Sequence, residues 1–203
     1  MKQDIGINQR IPISLLEMAL RAELNGNATS DYFRELAGTE FEGPNRIGKT
    51  VTVMNRLTKK NPLIPYLKDN KTSIETLLRN KADRTLLFTA IICSAYHFGY
   101  DVVALLGKYF HAQETVSTDL IVQKMSATYG SNRSLPNALY CILPMLIEAN
   151  LLERPAAGVY KAVRVQRAAE EAKKVYRKSF LLNNPVFSEN DYIDNYSYFE
   201  FLK

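Results

Sequence analysis

The fold is decided by residues 117–165, STDLIVQKMSATYGSNRSLPNALYCILPMLIEANLLERPAAGVYKAVRV. Ser117 or Thr118 is suited to cap a first helix, and Gly130 lies in a run of turn-forming residues that ends it. A second helix opens at Ser134, because apolar residues then recur at 3.6-residue spacing. Two β-favouring runs around a Pro-Ala-Ala-Gly turn predict a hairpin. The order helix, turn, helix, hairpin is that of a winged helix-turn-helix.

Such a unit places its second helix in the major groove of DNA, with the N-terminus of that helix nearest the base edges. In this sequence the region contains Asn132, Arg133, Ser134 and Asn137. Arginine can bond guanine and asparagine can bond adenine bidentately, while serine and helix N-terminal amides suit phosphates. The sequence therefore predicts a duplex DNA contact by these four residues.

The same unit also serves as a protein-binding module in other contexts. Further along the helix, Tyr140, Cys141 and Met145 are expected on the outer face, and none of them is charged. Pro144 is expected to kink the helix, because proline removes a backbone hydrogen bond. A structural or partner-binding role stays open beside DNA contact.

Charge is unevenly distributed along the chain, whose formal net charge is +5. Residues 183–203 hold four carboxylates against one lysine, so the remaining chain is strongly basic. Lys161, Arg164 and Arg167 lie on the predicted wing and its exit, where cations suit DNA phosphates. The basic helix that follows has two interpretations, a phosphate-binding surface or a solvated helix with internal Glu–Lys pairs.

The rest of the chain predicts a mainly α-helical protein without repeats. Three predicted helices form an N-terminal bundle that is a candidate second helix-turn-helix, although the connection before its third helix is long for that motif. The outer side of the third helix carries Arg46, Lys49 and Arg56. The central part is expected to contain a long apolar helix, after which the chain turns at Gly99-Tyr100. The predicted segments are residues 1–62 (helical bundle), 63–116 (central helices), 117–182 (winged helix-turn-helix and basic helix) and 183–203 (acidic, aromatic tail).

Composition excludes several classes of function. Cys93 and Cys141 lie among apolar residues without metal-ligand spacing, so we expect free thiols, no metal and no other cofactor. The N-terminus lacks an apolar targeting region, and the most apolar segment is too short for a bilayer. We therefore expect a cytoplasmic protein that does not contact membranes.

The segment Gly43-Pro-Asn-Arg-Ile-Gly-Lys-Thr50 fits the Walker A pattern of nucleotide-binding loops. A functional loop of this type follows a buried strand, and its amides cradle phosphates. The preceding residues 37–42 do not have the character of such a strand. We therefore expect no nucleotide site and no enzymatic activity, although a P-loop enzyme remains a third functional class to test.

The C-terminal tail contains six aromatic residues within residues 183–203. That is too many for a simple solvated terminus. We expect the tail to pack across the protein's own core, with docking to a partner or a second copy as the alternative.

The sequence resembles the BrxA family of bacteriophage-exclusion (BREX) systems over residues 14–165. The resemblance rests on an N-terminal helix with Leu15 and Leu16, the motif Asn55-Arg56-Leu57, an apolar central helix pair and the motif Met145-Leu-Ile-Glu-Ala-Asn-Leu-Leu152. It implies a non-enzymatic accessory protein that binds double-stranded DNA beside a methyltransferase and other phage-defence proteins. A helical adaptor that binds protein or RNA is the alternative.

Overall fold

The computed structural model describes residues 5–130 and 132–203. This part of the chain forms ten α-helices, one 3-10 helix and a small antiparallel sheet. Buried apolar side chains from Ile5 to Phe201 belong to one continuous core. Across the described residues, no helix combines the length and apolar character needed to cross a membrane. The mainly helical class that the sequence predicts is confirmed.

Three helices form the N-terminal part: α1 (Ile13–Leu24), α2 (Ser30–Gly38) and α3 (Pro44–Leu57). Thr29 caps α2, since its hydroxyl accepts a hydrogen bond of 3.1 Å from the backbone NH of Tyr32. Pro44 begins α3, because the fixed φ of proline suits the first helical turn. A lead of residues 5–12 precedes α1 and buries three isoleucines.

Four helices form the centre: α4 (Ile64–Asp69), α5 (Lys71–Leu77), α6 (Lys81–Ala95) and α7 (His97–Phe110). The predicted turn at Gly99-Tyr100 is wrong, because the chain breaks at Tyr96 and Gly99 lies inside α7. A Cβ atom at Gly99 would lie 3.2 Å from the Cγ2 atom of Ile92 on α6. Close packing of two helices, rather than a turn, therefore accounts for this glycine.

The sheet consists of β1 (Thr115–Ser117), β2 (Leu152–Ala156) and β3 (Val159–Ala162), in the order β1-β3-β2. The β2–β3 hairpin confirms the predicted one. Strand β1 was not expected from the sequence, and it pairs antiparallel with β3 so that Val116 lies opposite Tyr160. The sheet joins the hairpin to the residues that lead into the next helix.

Helices α8 (Thr118–Tyr129) and α9 (Leu135–Glu148) lie between β1 and β2. Ser117 caps α8 as predicted, accepting a hydrogen bond of 3.2 Å from the Leu120 NH. Helix α9 continues through Pro144, and Asn150 follows it with a φ of 62°, a left-handed conformation that asparagine tolerates. The expected outward positions of Cys141 and Met145 are wrong, since both side chains are buried in the core.

Helix α10 (Glu170–Asn183) packs on α6, and the 3-10 helix η1 (Ser197–Leu202) packs on α7. The ring of Tyr198 stacks on Tyr176 with centroids 4.4 Å apart, and the Tyr176 hydroxyl donates to the Tyr198 carbonyl at 2.8 Å. Ile193, Tyr198 and Phe201 are fully buried. The tail therefore packs on the protein's own core, as the first of the two interpretations expects.

Candidate nucleic-acid interface

The N-terminal half of α9 presents a narrow exposed strip. Arg133, Ser134, Pro136 and Asn137 are exposed, and Tyr140 retains 72% of its accessible surface. The other faces of α9 are buried, through Leu135, Ala138, Leu139, Cys141, Ile142, Leu143, Met145 and Leu146. In the first two turns of α9, packing thus leaves one helical face available to a ligand.

Asn132 shapes the approach to this strip. Its side-chain oxygen accepts a hydrogen bond of 3.0 Å from the Ser134 NH, and its carbonyl accepts one of 3.0 Å from the Leu135 NH. The side chain is half-buried. Asn132 is consequently engaged in the turn before α9, and Arg133 and Asn137 are better placed for contact with a ligand.

A cleft of about 320 Å³ brings α9, the N-terminal end of α3 and the lead together. Two predicted site residues, Arg46 and Asn137, meet in this cleft. The guanidinium of Arg46 lies 4.5 Å from the centre of the Phe41 ring, which holds the side chain beside the opening. The full lining is Asn8, Gln9, Arg10, Pro12, Glu40, Phe41, Arg46, Asn137, Tyr140 and Cys141.

Lys49 lies one turn after Arg46 on α3 and is exposed. Within residues 5–130 and 132–203, neither side chain forms an ion pair, and the same holds for Arg133. These three cations therefore remain available for phosphates. The part of the lead that lines the cleft could not be found from the sequence, because only tertiary packing brings residues 8–12 to α9.

Arg56 is placed elsewhere, although the sequence assigns it to the outer side of α3. Its Nε atom donates to the Ala95 carbonyl at 3.2 Å, and its guanidinium lies 4.7 Å from the centre of the Tyr96 ring. Its terminal nitrogens also approach Gly6 of the lead so closely that a Cβ atom there would lie 2.7 Å away. Arg56 thus connects α3, the break before α7 and the lead.

Two of the three predicted wing cations are engaged within the protein. Lys161 pairs with Glu114 across the sheet, and this hydrogen bond and charge raise the pKa of Lys161 and lower that of Glu114. Arg164 donates to the Glu200 carboxylate at 3.0 Å and to the Phe110 carbonyl at 3.3 Å. Arg167 is exposed and lines a different cleft, together with Lys81. The structure therefore separates these residues from the strip on α9.

The basic face of α10 is neutralised. Lys173 and Lys174 pair with Glu170 and Glu171 on the same helix. Arg177 and Lys178 pair with Asp194 and Glu189 of the tail. Of the two interpretations of this helix, the one with internal pairing agrees with the contacts, and the acidic tail extends that pairing.

The Walker-like segment is part of a helix. Residues from Pro44 to Thr50 lie in α3, and the residues before Gly43 form the end of α2 and a turn instead of a strand. Because the amides from Ile47 onward bond within the helix, the segment does not form the open loop that cradles nucleotide phosphates. Gly43 itself has a φ of 86°, which suits the turn into α3.

No protein-family model, curated protein or solved structure matches the chain.

Proposed function

We propose that the protein binds double-stranded DNA through a winged helix-turn-helix formed by α7, β1, α8, α9, β2 and β3. The order of these elements and the β1-β3-β2 sheet support the proposal. In this arrangement α9 is the recognition helix and the β2–β3 hairpin is the wing. Thr118 at the start of α8 donates its backbone NH to the Gly158 carbonyl at 2.8 Å, which attaches the wing turn to the helix pair.

The observation that carries the proposal is the contrast between engaged and available cations. All four cations on α10 are ion-paired, whereas Arg133, Arg46 and Lys49 have no such pairs among the described residues. Arg133 adjoins the exposed strip, Arg46 shares a cleft with Asn137, and Lys49 lies one turn further along α3. Unpaired cations beside an exposed helix N-terminus suit the phosphates that flank a major groove.

The contacts divide into two roles. Asn137 lies in the first turn of the recognition helix and Arg133 in the turn just before it, the region where bidentate contacts to bases are made. Arg46 lies on α3 across the cleft and Lys49 one turn further along the same helix. Both would contact phosphates without reading sequence. The proposal omits Arg56 and Arg164 because their guanidiniums bind backbone carbonyls of the protein itself.

The proposal includes no enzymatic activity and no nucleotide. The helical conformation of the Walker-like segment supports the proposed lack of a nucleotide site. The resemblance to the BrxA family further supports a role beside other phage-defence proteins, and the genes that flank this one test that extension. Neighbours without defence functions would argue against it.

The experiment compares two double variants that remove the same charge. Arg46→Gln with Lys49→Gln should weaken binding to every duplex alike and flatten the slope of log affinity against log salt by about two. Lys173→Gln with Lys174→Gln, which removes two paired lysines from α10, should leave affinity nearly unchanged. If both variants lose the same affinity, DNA does not bind preferentially at the surface that contains Arg46 and Lys49.

A second candidate function is a protein adaptor, and the exposure of Tyr140 favours it. A tyrosine with 72% of its surface exposed in the middle of a helix strip resembles an anchor for a protein partner. A measurement of duplex binding by the parent protein distinguishes the two functions, because a protein adaptor shows no salt-dependent binding to duplex DNA.

A further inference from the structure

A groove lies at the opposite end of α9 from the exposed strip. It consists of two adjoining clefts of about 480 and 290 Å³, which share Lys81, Thr85 and Asn150. The start of α6, the residues after α9 and the chain that leaves β3 form its walls. The groove is thus part of the same structural unit as the proposed recognition helix.

Five cations line the groove, and two of them, Arg84 and Arg164, are ion-paired with Glu17 and Glu200. The other three are exposed: Arg79, Lys81 and Arg167. None of them forms an ion pair with any residue that the structure describes. The groove's one lining carboxylate in the described chain, Glu148, is already paired with Arg10 and accepts the Ile13 NH at 2.9 Å. The groove therefore carries uncompensated positive charge.

The N-terminus of α6 adds to this potential. Asn80 lies between two of the cations and caps the helix, accepting hydrogen bonds of 2.8 and 3.3 Å from the NH groups of Ala82 and Asp83. The positive end of the helix dipole consequently faces the same region. The buried carboxylate of Asp83 in the first turn of α6 accepts the Ala169 NH at 2.6 Å and offsets part of this charge, but it forms no ion pair with the three cations in the described chain.

We propose that this groove binds phosphates of the duplex whose bases contact the N-terminal half of α9. On α9, Asn137 lies in the exposed strip and Glu148 at the wall of the groove. Their separation of eleven residues corresponds to a rise of about 17 Å at about 1.5 Å per residue, close to half a turn of B-DNA. When a duplex lies on the exposed strip, its phosphate backbone therefore comes within reach of the groove about half a helical turn further along the DNA. The inference rests on the proposed function and extends the DNA footprint beyond the recognition helix.

The test measures the affinity of the full chain for duplexes of about 10 and about 25 base pairs. The parent should bind the longer duplex more tightly and with a steeper salt dependence. Arg79→Gln, Lys81→Gln and Arg167→Gln together should reduce the long-duplex affinity to the short-duplex level and flatten its salt slope by about 2.7. With the salt slope smaller by about 2.7, the variant's affinity falls about 40-fold less than the parent's when salt rises from about 50 to about 200 mM.

A matched control replaces three ion-paired lysines, Lys71, Lys173 and Lys174, by glutamine. Its long-duplex affinity should stay near that of the parent, and equal melting temperatures establish that both triple variants are folded. If the groove variant binds the long duplex as tightly as the parent, only this inference is overturned. A parent that binds neither duplex overturns the proposed function instead.

Discussion

Arg164 and Arg167 show how neighbouring residues of one type come to have different roles. Arg164 binds the tail through the Glu200 carboxylate, while Arg167 is exposed beside Lys81. The difference arises because the chain after β3 passes η1 before it reaches α10, and Val165 donates its NH to the Phe201 carbonyl at 2.8 Å. The position of a cation in the sequence therefore does not reveal whether its charge is available.

Glu200 makes the same region sensitive to pH. Burial raises the pKa of Glu200, but hydrogen bonds and charges from Lys203, Arg164 and His111 outweigh it and lower the pKa. Since the folded pKa is below the unfolded one, ionised Glu200 stabilises the fold above the unfolded pKa. That contribution is lost as the pH falls through the folded pKa.

Glu200→Gln should accordingly lower the melting temperature at pH 7. The difference from the parent should shrink as the pH falls from about 5 towards 3, which thermal unfolding followed by circular dichroism measures. Glu189→Gln is the control, because the exposed pair of Glu189 with Lys178 contributes little to stability. A difference for Glu200→Gln that stays constant over this pH range would disprove the role of its ionisation.

At the scale of elements, α7 and η1 approach each other closely at Gly107. A Cβ atom at Gly107 would lie 1.9 Å from the Ser197 carbonyl oxygen and 3.2 Å from the Cβ atom of Glu200. No side chain fits in that space. Glycine at this position therefore permits the tail to pack on α7.

Gly107→Ala should lower the free energy of unfolding by about 1–3 kcal/mol, since the tail must shift to admit a methyl group. The matched control is Gly48→Ala on α3, where nothing lies within 4 Å of an added Cβ atom. It should raise stability by up to about 1 kcal/mol through helix propensity. Urea unfolding measures both. Similar stability changes in the two variants would show that Gly107 has no packing role.

Local sequence signals identified α8, α9 and the hairpin because caps, periodicity and turn residues act over short distances. Strand β1 escaped detection because three residues carry no periodicity, and their partners in β3 lie more than forty residues later. The break between α6 and α7 was misplaced because Gly99 serves packing between helices and not a turn. The elements of the candidate site could thus be predicted, but their contacts with distant segments could not.

At the scale of the whole molecule, one core extends from the lead to the tail. It holds the N-terminal end of α3 beside α9, so that Arg46 and Asn137 share a cleft although they lie far apart in the sequence. It also brings the acidic tail onto α10 and neutralises that helix. The overall packing therefore determines which of the predicted cations remain without an ion pair in the described chain.

The most direct test of DNA recognition by α9 uses a neutral substitution. Equilibrium affinities of the parent, Asn137→Ala and the exposed-tail control Asn190→Ala are measured for preferred and random duplexes at several salt concentrations. The account predicts salt-dependent binding by all three. Asn137→Ala alone should narrow the preference between duplexes by about 1–3 kcal/mol, with its salt slope unchanged. A parent without salt-dependent duplex binding, or an Asn137→Ala variant that keeps the full preference, would contradict it.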